Sequence, residues 1–180
     1  MDEARIDPVP YNQELLDGAL IEEAAKKSAL VWVRGPLGPA RALWHVWHDG
    51  AVWVVGGPGE QPLDGLGLTD GGTATVSVRS KDKGTRLVTW PAAVSEPKPG
   101  DATWTAAVEE LRGKRLNSPH TPGLADRWAA ECRLLRLAPS GPPSELPSTS
   151  QAATVLATPA TTRGPLPTGL PARRRSRPGG

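Results

Sequence analysis

Phenylalanine is absent from this chain, and tyrosine, methionine and cysteine occur once each. A lone thiol, Cys132, excludes an internal disulfide framework and fits a reducing compartment. No apolar run approaches the length needed to span a bilayer. The opening residues, MDEARIDPVP, are acidic and broken by proline, unlike a secretory leader. These absences point to a soluble, cytoplasmic protein with no membrane partner. Clustered Cys and His at zinc-ligand spacing are also missing, so no metal site is expected.

Charge is close to balanced, at +2 over 180 residues, but it is unevenly spread. Residues 139–180 hold five of the 21 basic residues (Arg163, Arg173, Arg174, Arg175 and Arg177) and one of the 19 acidic ones, Glu145. Nine prolines and no aromatic residue share that stretch, which cannot bury enough apolar surface to offset its ordering entropy. It is expected to be a disordered tail over 140–180, behind a folded domain at 12–139 and a flexible start at 1–11. The short RRRSR end is a weak, salt-sensitive polyanion binder at most, so no specific nucleic acid is implied.

What the chain does have is tryptophan, seven in all, and three lie in ALWHVWHDGAVWVVGG (42–57) with His45 and His48. Asp49-Gly50 is a type I′ turn signal between β-rich arms. A hairpin turning there pairs 48 with 51, 47 with 52, 46 with 53 and 44 with 55. Strand alternation then sends His45 and His48 to opposite faces, so this segment alone builds no two-histidine metal site. One face carries Trp44, Val46, Trp53 and Val55; the other carries Leu43, His45, Trp47, Val52 and Val54. Both are largely apolar and both need cover. A small barrel provides it if one face fills the interior and the other packs on a helix or a second subunit.

Around this hairpin the pattern predicts a helix over 12–28, with Leu15, Leu16, Ala19, Leu20 and Ala24 on its apolar face, and a strand at 29–35. A glycine-rich crossing at 56–72, with room for one helical turn, leads to strands at 73–80 and 85–94 joined by a KDKG turn. A helix follows at 100–116, N-capped by Asp101 and striped by Trp104, Val108 and Leu111. A helical turn at 124–131 precedes a closing strand at 132–139, on which Cys132 reads as a small buried hydrophobe.

In this order, the phrases SALVWVRGPLGPARALWHVWHDGAVWVVGG, TATVSVRSKDKGTRLVTWPAAVSE and CRLLRLAP resemble the flavin-binding split-barrel superfamily that includes pyridoxamine 5′-phosphate oxidase. The resemblance spans about residues 12–139. It implies a mainly β fold with flanking helices, an antiparallel split β-barrel of Greek-key type. It also implies a homodimer holding FMN at the subunit interface; other members take a deazaflavin or haem. The implied activity is that of a flavin-dependent oxidoreductase acting on a small-molecule substrate. The alternative is a non-catalytic ligand-binding or dimerisation module that has lost its flavin.

Carried over residue by residue, the resemblance nominates Arg41 on the second strand and Gly57 and Gln61 in the crossing. Arg79 and Lys81 at strand ends complete the set for the cofactor's phosphate and ring. No lysine follows Arg41, and the crossing supplies Glu60 rather than a cation. His45 reads either as a donor to a flavin ring atom or as a hydrogen-bonded structural histidine, and His45 or His48 as a haem ligand is the third possibility. The tryptophans read either as ring-stacking platforms or as packing. No Ser/His/Asp or Cys/His arrangement supports hydrolysis.

Overall fold

The computed structural model describes residues 12–79, 86–115 and 122–143. Lys81, the KDKG turn, the N-terminal residues 1–11 and the tail from 144 onward lie outside the described residues. The chain runs α1 (Gln13–Lys27), β1 (Leu30–Arg34), β2 (Arg41–Trp44), β3 (Val46–His48), β4 (Ala51–Gly56), β5 (Thr73–Arg79) and β6 (Arg86–Ser95). It ends with α2 (Ala102–Lys114), α3 (Leu124–Glu131) and β7 (Arg133–Pro139). Among the described residues no helix is long and apolar enough to cross a membrane.

All seven strands join one antiparallel sheet in the order β2-β1-β5-β6-β7-β4-β3. Its two outermost strands, β2 and β3, are separated in sequence by one residue, His45. A sheet whose opposite edges are consecutive pieces of chain has to curl on itself. The result is a nearly closed barrel, as the sequence pattern predicts, with a seam at His45.

Strand alternation then sorts the side chains. Val31, Val33, Leu43, Val52, Val54, Val76, Val88, Trp90, Leu135 and Leu137 point inward and form the barrel core. Trp90, fully buried, supplies the bulk that phenylalanines would otherwise give. The outward residues of β3, β4 and β7, among them Val46, Trp53, Val55 and Leu134, pack with Trp104, Ala107, Val108 and Leu111 of α2 and Trp128 of α3. Every residue of β4 is buried, so both faces of the tryptophan-rich hairpin are covered: one by the barrel interior, the other by helices.

The hairpin register matches expectation at its tip, with Val46 opposite Trp53, Trp47 opposite Val52 and His48 opposite Ala51. Asp49 and Gly50 both take positive φ (45° and 66°), as a type I′ turn requires. Beyond Val46 the expectation fails. Trp44 pairs with Leu30 of β1, not with Val55, whose partner is Leu134 of β7. The strand changes partners at His45 because each arm finds a longer ladder elsewhere, on β1 and on β7.

Other local readings are corrected too. The core face of α1 is Ile21, Ala24 and Ala25, whereas Leu15 and Leu16 are exposed. Only the helix's C-terminal half reaches the barrel, so the stripe is set by what lies beneath it and not by the leucines. Asp101 occupies the N-cap of α2 without capping it: its carboxylate accepts from the Lys98 amide at 3.0 Å, closing the preceding turn. The crossing at 57–72 holds turns and one parallel bridge between Gly56 and Gln61 but no helix. Cys132 lies at the C-cap of α3 and is half-buried, one residue ahead of the closing strand.

Candidate functional site

The seam is where the barrel's hydrogen bonding is interrupted, and Gln61 repairs it. Its side-chain Oε1 accepts from the Trp44 amide at 2.8 Å, and its Nε2 donates to the Trp44 carbonyl at 2.9 Å. An amide side chain thus makes the two bonds a neighbouring strand residue would make. Removing it leaves a part-buried backbone donor and acceptor unpaired. Gln61→Ala is therefore expected to cost about 1–2 kcal/mol in chemical denaturation, with Gln61→Glu also destabilising, since a carboxylate has no donor for the Trp44 carbonyl.

Above Gln61 opens a cleft of about 690 Å³. Ser28 and Ala29 close one side, Trp44 and His45 the barrel wall, Gly59 and Glu60 the crossing, and Lys114 and Arg115 the far rim at the end of α2. This volume lies in the range of small-molecule sites, and a mostly apolar lining with few convergent polar groups is their usual make-up.

His45 is 6% exposed. Its Nε2 lies 3.0 Å from the Ala25 carbonyl, an atom that can only accept, so Nε2 carries the proton and Nδ1 is left as an acceptor. Nδ1 is buried and has no partner among the described residues. Burial lowers the His45 pKa to about 4 against the smaller opposing effect of the Ala25 bond, and the nearby Lys114 charge lowers it further. At neutral pH the imidazole is uncharged.

Glu60 brings the crossing, α2 and α3 together. Its side chain is 2% exposed, and one oxygen, Oε1, accepts from Arg127 Nη2 at 2.6 Å, Arg115 Nη2 at 3.0 Å and Trp128 Nε1 at 2.9 Å. Arg127 Nη1 also donates to the Pro58 carbonyl at 2.6 Å. Glu60 is thus a structural clamp that holds Arg115 at the cleft rim.

Of the six nominated residues, the structure brings two together in this cleft, His45 and Gln61. Gly57 faces the other way: a Cβ there would fall 2.9 Å from the Glu131 carbonyl, and its own amide bonds the Gln61 carbonyl at 3.3 Å. Arg41, at the start of β2, reaches toward the loop at Gly65. Arg79, at the end of β5, places its guanidinium 4.0 Å over the Trp32 ring, a cation–π contact on the outer face of the sheet. Lys81 is outside the described residues. Sequence reasoning passed over Glu60 as a binding element and missed Lys114 and Arg115 altogether. Their only signal is the basic last turn of α2, which reads equally as ordinary helix-end charge.

No family profile and no curated protein matches this sequence. Some solved structures are distantly similar to it. HutZ, a heme storage protein from Vibrio cholerae, is 14% identical with a TM-score of 0.47, over 67% of this chain and 88% of its own. The conserved hypothetical protein Rv2991 from Mycobacterium tuberculosis is 15% identical with a TM-score of 0.44, over 78% and 87%. The flavocytochrome Anf3 from Azotobacter vinelandii is 14% identical with a TM-score of 0.42, over 86% and 85%. By its own topology the chain is a seven-stranded antiparallel barrel, nearly closed with its seam at His45 and flanked by helices.

Proposed function

We propose that this chain binds a flavin-type cofactor, FMN or a deazaflavin, in the seam cleft, and that the loaded protein is an oxidoreductase for a small molecule. The observation that supports this best is the buried, unpartnered Nδ1 of His45 in the wall of a cleft with an indole beside it and cations at its rim. A flavin suits those groups: its flat ring matches Trp44, its pyrimidine edge offers an N–H to an acceptor, and its side chain ends in an anion. Bound there, the cofactor would supply hydride or electron transfer, while the chain's residues orient it and keep water out. Haem fits less well, because the Nε2 of His45 is already committed to the Ala25 carbonyl.

The working form we propose is a homodimer. Leu30 is 46% exposed on the outer face of β1, next to the half-buried Trp32 with Arg79 stacked on it, and no element of the chain described here covers Leu30. A second copy would bury that face. The reading of a cytoplasmic protein rests on the lone thiol.

A second reading, a ligand-binding or dimerisation module without flavin, draws on a different observation. Glu60 ties up Arg115 and Arg127, and the Gln61 amide is spent on Trp44, which leaves few polar groups free for a cofactor. One experiment separates the two. Purified protein is mixed with excess FMN, stripped of free ligand by size exclusion, and its visible spectrum recorded with its mass by light scattering. Near-stoichiometric flavin co-eluting at twice the 19.0 kDa chain mass is the expected result. A colourless peak at that mass would remove FMN and leave the deazaflavin or the module reading, which the same run with a deazaflavin separates.

A further inference from the structure

The rim of the cleft carries information about the ligand that the cofactor reading by itself does not. A phosphate arm normally needs two or three charge-assisted contacts. The groups nominated for it from the sequence are not at the cleft: Arg41 reaches toward Gly65, Arg79 lies over Trp32, and the Gly57 amide is already bonded. The cations lining the cleft are Lys114, the last residue of α2, and Arg115, its C-cap.

Resting on the flavin reading, we infer that Lys114 and Arg115 form the anion subsite of the cleft, so that its ligand is a flat ring carrying a phosphate or carboxylate arm. Arg115 is fixed from two directions: its backbone N–H donates to the Leu111 carbonyl at 3.1 Å, and its Nη2 donates to Glu60. Glu60 is shared with Arg127, so one carboxylate faces two guanidiniums and the trio keeps a net positive charge. Lys114 is exposed, has no ion-pair partner among the described residues, and lies near enough to His45 for its charge to act on the ring. The C-terminal end of a helix repels anions, so the attraction comes wholly from these two side chains reaching past the α2 carbonyls. Glu60 acts here as a positioning residue, setting the direction of the Arg115 fork without touching the ligand.

His45, which is 6% exposed and whose Nδ1 has no partner among the described residues, lines the same cleft and is the second mark of a ligand site there. Two cations, an imidazole and an indole lining one cleft suit a flat ring with an anionic arm.

Two flavins that differ in the arm alone test the assignment: FMN, which carries the phosphate, and riboflavin, which does not. Binding of each to the full chain is followed by quenching of flavin fluorescence, for the wild type, Lys114→Ala and Lys114→Arg. Lys114 is exposed and its replacement leaves the core untouched. The wild type is expected to bind FMN about tenfold more tightly than riboflavin, and Lys114→Ala to lose most of that preference while Arg115 keeps the remainder. Lys114→Arg should restore the preference. Equal affinities for the two flavins in the wild type, or an FMN preference undiminished in Lys114→Ala, would overturn the subsite while the flavin reading stood. If neither flavin binds, the FMN reading and the subsite fall together.

Discussion

Replacing Glu60 with alanine is expected to destabilise the fold by about 3 kcal/mol, among the largest losses any single polar residue of this chain can cause. Two terms add. The Trp128 Nε1–H, on a side chain 2% exposed, loses its acceptor and cannot reach water. Arg115 and Arg127 lose their counter-charge, though their side chains are 21% and 31% exposed and partly recover hydration, which keeps the total below that of a fully buried pair. Glu60→Gln separates the terms, because the amide oxygen still accepts from Trp128 while the charge is gone; about half the loss should return. Urea denaturation of both variants measures this, and a Glu60→Ala midpoint equal to wild type would remove the clamp from the account.

Acid is expected to unfold the protein through His45. The imidazole titrates near 6.5 in the unfolded chain and near 4 when folded. Above pH 6.5 it is neutral in both states and contributes no pH dependence. Between 6.5 and 4 the unfolded state binds the proton and the folded state does not, so stability falls as pH falls, by about 2 kcal/mol at pH 5 and about 3 kcal/mol once below pH 4. The cause is local: Nε2 already carries its proton toward Ala25, so the second must enter at the buried Nδ1, with the Lys114 charge nearby. Carboxylates add their own acid sensitivity, so the readout is a difference. His45→Gln should show a shallower loss than wild type between pH 7 and pH 4.5 in thermal melts, and parallel curves would refute the assignment.

Much of the architecture is legible in the sequence because it rests on local signals. The Asp49-Gly50 turn, the alternation through β4 and β5, and the Trp104–Val108–Leu111 stripe each state their structure within a few residues. The partner change at His45 is not legible, since Trp44 and Val46 are equally good strand residues and the choice depends on β1 and β7, far away in sequence. The same limit applies to the site. His45 and Gln61 stand out by type, but what Gln61 does depends on a bond to a residue 17 positions earlier. Lys114 and Arg115 look like any basic helix end until α2 is laid against the seam. The stripe on α1 misleads because Leu15 and Leu16 lie in the helix's first turns, ahead of the Ile21, Ala24 and Ala25 face that meets the barrel.

The partner change at His45 also bears on how the protein behaves in a crowded solution. Open sheets end in two rows of unsatisfied amides and carbonyls, each a template on which another chain can add a strand. Here β2 and β3 are the two ends of the sheet, yet they are successive segments of one strand, and the gap between them is closed by Gln61 bonding Trp44. The residue that satisfies the Trp44 backbone is thus the same one that denies it to a stray strand. Lengthening the chain by one residue between Trp44 and Val46 would shift Trp44 away from the Gln61 amide, reopening an edge and turning the seam into a site of aggregation.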